Sequence, residues 1–104
     1  MKLKFPKTVT ITSITFNVRK DNNSDGASLD LANREIKIGT KHLTTDPNYV
    51  FELICHELME IVCILTSTRY DDYCVTENYK FFMDHKEFQN NLSIFSIALN
   101  EFIV

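Results

Sequence analysis

Cysteine is too scarce and too irregularly placed in this chain to frame a fold. Three occur in 104 residues, Cys55, Cys63 and Cys74, and they form neither a disulfide framework nor a CxxC zinc pattern. Two of them fall inside an apolar segment, where a free thiol behaves as a small core residue. That usage is expected of a reducing, cytoplasmic setting. Long apolar runs are also missing. No stretch approaches the length of a membrane span, and the opening "MKLKFPKTVT" lacks the apolar run of a signal peptide. Positive charge is in short supply too. Eleven Lys and Arg against fourteen Asp and Glu leave a net charge of -3, and the basic residues are scattered apart from Lys2, Lys4 and Lys7. Neither nucleic acid nor an anionic membrane is therefore an expected partner. There is no internal repeat and no low-complexity linker, so residues 1–104 read as a single domain.

What is present is an ordinary globular composition, 44% hydrophobic and 24% charged. "KTVTITSITFNV" has the Thr, Ile, Val and Phe content of a strand. Its alternation changes phase, with Val9 and Ile11 on one parity and Ile14, Phe16 and Val18 on the other, which places a bulge or break near Thr12-Ser13. The polar run "RKDNNSDGAS" reads as a loop and "REIKIGT" as a short strand. Asp46 then offers an N-cap and Pro47 a first helical residue, starting a helix over about 47–66. The segment "STRYDDYCVTENYKFFM" reads as an irregular connection holding at most a short strand. A last helix over about 85–103 begins at Asp84-x-x-Glu87, which has the form of a capping box. On it Phe88, Leu92, Phe95, Leu99 and Phe102 make one apolar stripe expected to face a core. The expected class is α+β: a short N-terminal antiparallel sheet packed on two long helices.

The first helix carries the chemistry. In "FELICHELMEIVC", Glu52, His56 and Glu60 stand at i, i+4 and i+8, one stripe, with Glu57 beside them. Nearly all the remaining circumference is apolar, as in a buried helix, and isolated buried charges are costly without a partner. A divalent metal is one such partner. Two ligands one turn apart converge on one face, while the residue after the first points to the side, where an activated water can meet a base. The spacing is HExxE. A third ligand is expected from His85 in "DHKEF", three residues before Phe88 on the inward stripe. The metal set is then His56, Glu60 and His85, with Glu57 as the catalytic base and Zn²⁺ the ion that N and O ligands favour.

This pattern resembles the zincin metallopeptidases, and more closely the very small zincin-like proteins of bacteria and their phages. The similarity runs from "REIKIG" through "HELME" to "DHKEF" and the last helix. It implies a zinc-dependent hydrolase acting on a peptide or protein, with residues 34–39 as a cleft-rim strand that pairs with extended substrate. It also implies a Tyr near the developing oxyanion, for which Tyr70, Tyr73 and Tyr79 are open candidates. The chain departs from the family in having Glu60 where a second His is usual, and in being short for a peptidase with full subsites. Those departures keep a second reading open: a non-catalytic metal-binding or degenerate relative, phage-encoded and acting on a host factor.

A plainer reading of the same residues has Glu52, Glu57 and Glu60 on a partly solvated edge and His56 as a hydrogen-bonded core histidine. Glu52 also rivals Glu60 as the ligand one turn from His56, but only Glu60 keeps Glu57 in the base position. Cys63 lies about 10 Å along the axis from His56, too far to share an ion comfortably. "DNNSDG", residues 21–26, imitates the first half of a calcium loop. Its twelfth position is Ala32 rather than a bidentate Glu, so a polar loop is the better reading.

Overall fold

The computed structural model describes residues 2–71 and 79–104. In chain order the elements are β1 (Thr8–Ile11), β2 (Ile14–Asp21), β3 (Ala27–Asp30), β4 (Glu35–Gly39), α1 (Pro47–Leu65), β5 (Arg69–Asp71), β6 (Tyr79–Phe81) and α2 (His85–Asn100). β1 to β4 form one four-stranded sheet in the order β1-β2-β4-β3, and β5 and β6 form a separate antiparallel pair. The α+β class expected from the sequence is correct.

The phase change near Thr12 is a tight reversal between two strands. Ile11 pairs with Ile14, and the Ser13 N–H donates to the Ile11 carbonyl at 2.9 Å. Thr12 carries φ 61° to make the turn. With the chain folded back, both parities serve one core: Val9, Ile11 and Phe16 are buried together.

The sheet itself differs from expectation in two ways. It is not wholly antiparallel, because β2 and β4 run parallel from Asn17↔Glu35 to Asp21↔Gly39. The reason is an extra strand, β3, which folds back as a hairpin on β4. Residues 27–30 were hidden by their polar context. Ala27 and Leu29 are only half-buried and Ser28 and Asp30 are exposed, so β3 carries the weak alternation of an edge strand. As a consequence β4 is internal, paired on both sides. Residues 34–39 cannot be the rim strand; β3 holds that place.

The polar run before β3 is held by backbone hydrogen bonds. The N–H groups of Gly39, Thr40 and Lys41 donate to the carbonyls of Gly26, Asp21 and Ser24 at 2.8, 2.9 and 3.2 Å. Asp21 belongs to β2, accepts from the Asn23 N–H at 3.0 Å and pairs with Lys37 at 3.4 Å. This is a turn clasped to the end of β4. The clasp requires glycine at position 39, where a Cβ would fall 2.5 Å from the Ser24 carbonyl oxygen and closer still to that of Gly26. Both obstacles are backbone, so the turn must move. Gly39→Ala is expected to cost about 3 kcal/mol, lowering the melting temperature by roughly 15 °C. Gly26→Ala, whose Cβ would meet nothing within 4 Å, is the matched control and should shift it by no more than about 3 °C.

α1 starts as expected: Asp46 accepts from the Tyr49 N–H at 3.2 Å and Pro47 opens the helix. Its end has no glycine to announce it. Ser67 takes the left-handed conformation, φ 59°, while the Thr68 N–H donates to the Cys63 carbonyl at 2.8 Å and that of Ser67 to Ile64 at 3.2 Å. This is the Schellman pattern. The capping box of α2 is present in both directions, with the Glu87 N–H donating to Asp84 at 2.8 Å and the Asp84 N–H to Glu87 at 3.2 Å.

Val50, Ile54, Leu58, Ile61 and Val62 bury one face of α1 against Ile36 and Ile38 of β4 and against Ala98 and Phe102. A short bridge between Leu3 and Ile103 ties the two ends of the described chain together. The ring of Phe5 stands edge-on to Phe102, centroids 6.4 Å apart. The stripe on α2 is inward only at its far end. Phe102 is fully buried, but Phe88 is 49% and Leu92 46% exposed. The first half of α2 therefore stands off from α1 and leaves an open groove. None of the helices among the described residues is long and apolar enough to cross a membrane.

Candidate metal centre

α1 presents three faces to its surroundings. One is the core face. A second, made by Phe51, Cys55 and Met59, looks into the groove beside α2. Between these faces runs the polar stripe, and it is here that the structure gathers donor atoms.

His56, Glu57 and Glu60 each offer one ligand-capable atom, and these all lie within 4.8 Å of one another. Among the described residues no other group of three or more His, Cys, Asp or Glu side chains meets that test. His56 Nε2 lies 3.2 Å from Glu60 Oε2, with the imidazole largely in solvent and the carboxyl mostly covered. As an ion pair so exposed at one end, this contact contributes little to stability. As a donor pair it has the right dimensions. Two N or O ligands on one tetrahedral zinc, at ordinary bond lengths, lie about 3.3 Å apart. The donor set thus fits the metal at these two positions with little rearrangement.

Glu57 occupies a different environment from its neighbours. It is only 5% exposed and faces a second, polar concavity lined by Ser28 and Leu29 of the edge strand, Arg69 and Tyr79. Burial raises its carboxyl pKa above the ordinary glutamate value, and the nearby Glu60 carboxylate raises it further. The charges of His56 and Arg69 pull the other way. A carboxyl with a raised folded-state pKa stabilises the fold below its unfolded pKa, and that stability is lost as pH rises through the folded value. In the presence of chelator, Glu57→Gln is therefore expected to melt above wild type at neutral pH. The gap should narrow as the pH falls through the carboxylate range and the wild-type carboxyl takes up its proton. Parallel melting curves across that range would contradict the assignment.

The structure does not bring His85 into this group. It is exposed at the first position of α2, which begins level with the far end of α1. Just before it, the Phe82 N–H donates to the Thr68 carbonyl at 2.9 Å, and Thr68 lies three residues beyond the end of α1. Leu65 is already about 13 Å along the axis from His56. The three-residue spacing of His85 from Phe88 carried no information on where α2 sits along α1.

The remaining candidates also sort out. Glu52 is exposed, accepts from Asn48 Nδ2 at 3.4 Å and stays outside the donor group, so Glu60 is the ligand-capable carboxylate. Cys63 is buried core, as expected; Cys74 and Tyr73 lie outside the described residues. Tyr70 is 52% exposed and stacks edge-on against Phe82. Of the two described candidate tyrosines, Tyr79 is the one placed in the concavity with the donor group. Two features went unread in the sequence: the edge strand β3 and Arg69. The Arg69 guanidinium lies over the Tyr79 ring at 3.4 Å, in the concavity that Glu57 also lines. No short motif marks either of them. Their positions depend on the β3-β4 hairpin and the β5-β6 pair.

No family model, curated protein or solved structure matches the chain.

Proposed function

We propose that this protein is a minimal zincin-like, zinc-dependent hydrolase directed at peptides, with His56 and Glu60 as metal ligands and Glu57 as general base. The observation that carries the reading is the convergence of the three HExxE side chains, His56 and Glu60 where two concavities meet and Glu57 in the polar one. The burial of the middle one alone adds to it.

Zinc, when bound by such a donor set, supplies Lewis-acid activation of water at neutral pH. The chain supplies the rest. Glu57 would take a proton from the attacking water and pass it to the leaving amine, and a carboxyl with a raised pKa is suited to both transfers. Among the described residues no strand pairs with the outer edge of β3, and an extended peptide added there would continue the sheet past His56. Tyr79, which lines the same concavity, is the phenol that would serve the oxygen of the attacked carbonyl.

With His85 distant from the group, the ligand assignment can be tested directly. Zinc added to chelator-treated protein is expected to raise the melting temperature by roughly 10 to 20 °C at a hundredfold excess over its dissociation constant. His85→Ala should keep that shift. Its loss in His85→Ala would restore the three-ligand set inferred from the sequence, and its absence from wild type would remove the metal altogether.

A further inference from the structure

His56 and Glu60 line two concavities at once. One is the polar recess beside β3. The other is the groove between α1 and α2, about 620 Å³, walled by Phe51, Cys55 and Met59 on one side and Phe88, Leu92 and Phe95 on the other. Whatever is held at the donor pair therefore has this groove immediately beside it.

We infer that the ligand bound at His56 and Glu60 carries a large apolar side chain, aromatic or branched aliphatic, which seats in the groove between α1 and α2. The inference rests on the metal-centred reading above and names the class of substrate that site takes. Three observations support it. The groove's size lies within the range of sites that enclose small ligands, which are mostly apolar with a few placed polar groups. Its walls are residues whose helical spacing suits a core, yet Phe88 and Leu92 remain about half exposed and no described residue covers them. Covering that surface with an apolar group is favourable in proportion to the area removed from water. Apart from Glu52, His56 and Glu60, the one side chain bearing nitrogen or oxygen among the described lining residues is Asn91, which is buried and already donates to Thr68 Oγ1 at 3.1 Å and Met83 Sδ at 3.7 Å. The floor thus offers nothing to a charged side chain, and the Glu52 and Glu60 carboxylates at the rim disfavour an acidic one.

The test uses zinc-loaded protein and a series of N-acetyl amino-acid hydroxamates, whose common head group chelates zinc and whose side chains differ. Binding is measured by calorimetry, with zinc content determined on the same samples. The phenylalanine and leucine compounds are expected to bind roughly tenfold or more tightly than the glycine compound, and the aspartate compound no better than glycine. Leu92→Glu, at an exposed position that should not disturb folding, is expected to abolish the preference and leave zinc content unchanged; Phe88→Ser should weaken it. Equal binding of all side chains by zinc-loaded protein would overturn the inference alone. So would a preference for a lysine compound, or a concentration-dependent dimer that shows no side-chain preference. A protein that takes up no zinc would overturn the metal reading and this inference together, and the zinc analysis distinguishes that failure from the others.

Discussion

Glu57→Gln is expected to retain zinc while losing peptide hydrolysis by about 10²- to 10⁴-fold, the usual contribution of a positioned general base. Glutamine keeps the size of the side chain and removes its ability to accept a proton. The site's geometry makes the substitution clean. Glu57 is buried behind the helix surface, whereas the His56–Glu60 donor pair is set by those two residues at 3.2 Å. A quenched-fluorescent peptide library screened against wild type and variant gives the ratio. Hydrolysis unchanged in the variant would remove Glu57 from the chemistry. A wild type that binds zinc and cuts nothing would favour the other reading of the motif, a metal-binding interaction protein on the same scaffold.

The second large effect is expected at His56. His56→Ala should reduce bound zinc to less than about a tenth of the wild-type content, because it removes the only imidazole in the donor group and leaves two carboxylates. Carboxylate oxygens alone suit magnesium or calcium better than zinc. The side chain is largely in solvent, so the fold should survive. Melting of the chelator-treated variant within about 3 °C of chelator-treated wild type would establish that zinc loss is not unfolding.

Local chemistry made much of this molecule legible. Asp46-Pro47 and Asp84-x-x-Glu87 are capping signals whose hydrogen bonds lie within a few residues, and both helix starts follow them. The i, i+4 relation of His56 and Glu60 is likewise a property of a single helix, so the donor pair could be read without knowing the fold. What failed were relations between elements. β3 has only half-buried apolar residues because it is an edge strand, and its polar approach through "DNNSDG" resembles a plain loop. Missing it turned a mixed sheet into an antiparallel one and put residues 34–39 at the rim. The end of α1 uses Ser67 in a conformation usually given to glycine, so it carries no signature. His85 was assigned by helical face alone. How far α2 is displaced along α1 depends on the Thr68 junction, which sequence periodicity does not encode. The same displacement leaves Phe88 and Leu92 beside an open groove rather than in a core.

Metal content of the untagged wild-type protein, purified without chelator and measured by elemental analysis beside His56→Ala, bears most directly on the central claim. Close to one zinc per wild-type chain, with little or none in the variant, is the predicted result. Wild-type protein free of zinc, and unable to take it up from a stoichiometric addition at neutral pH, would contradict it.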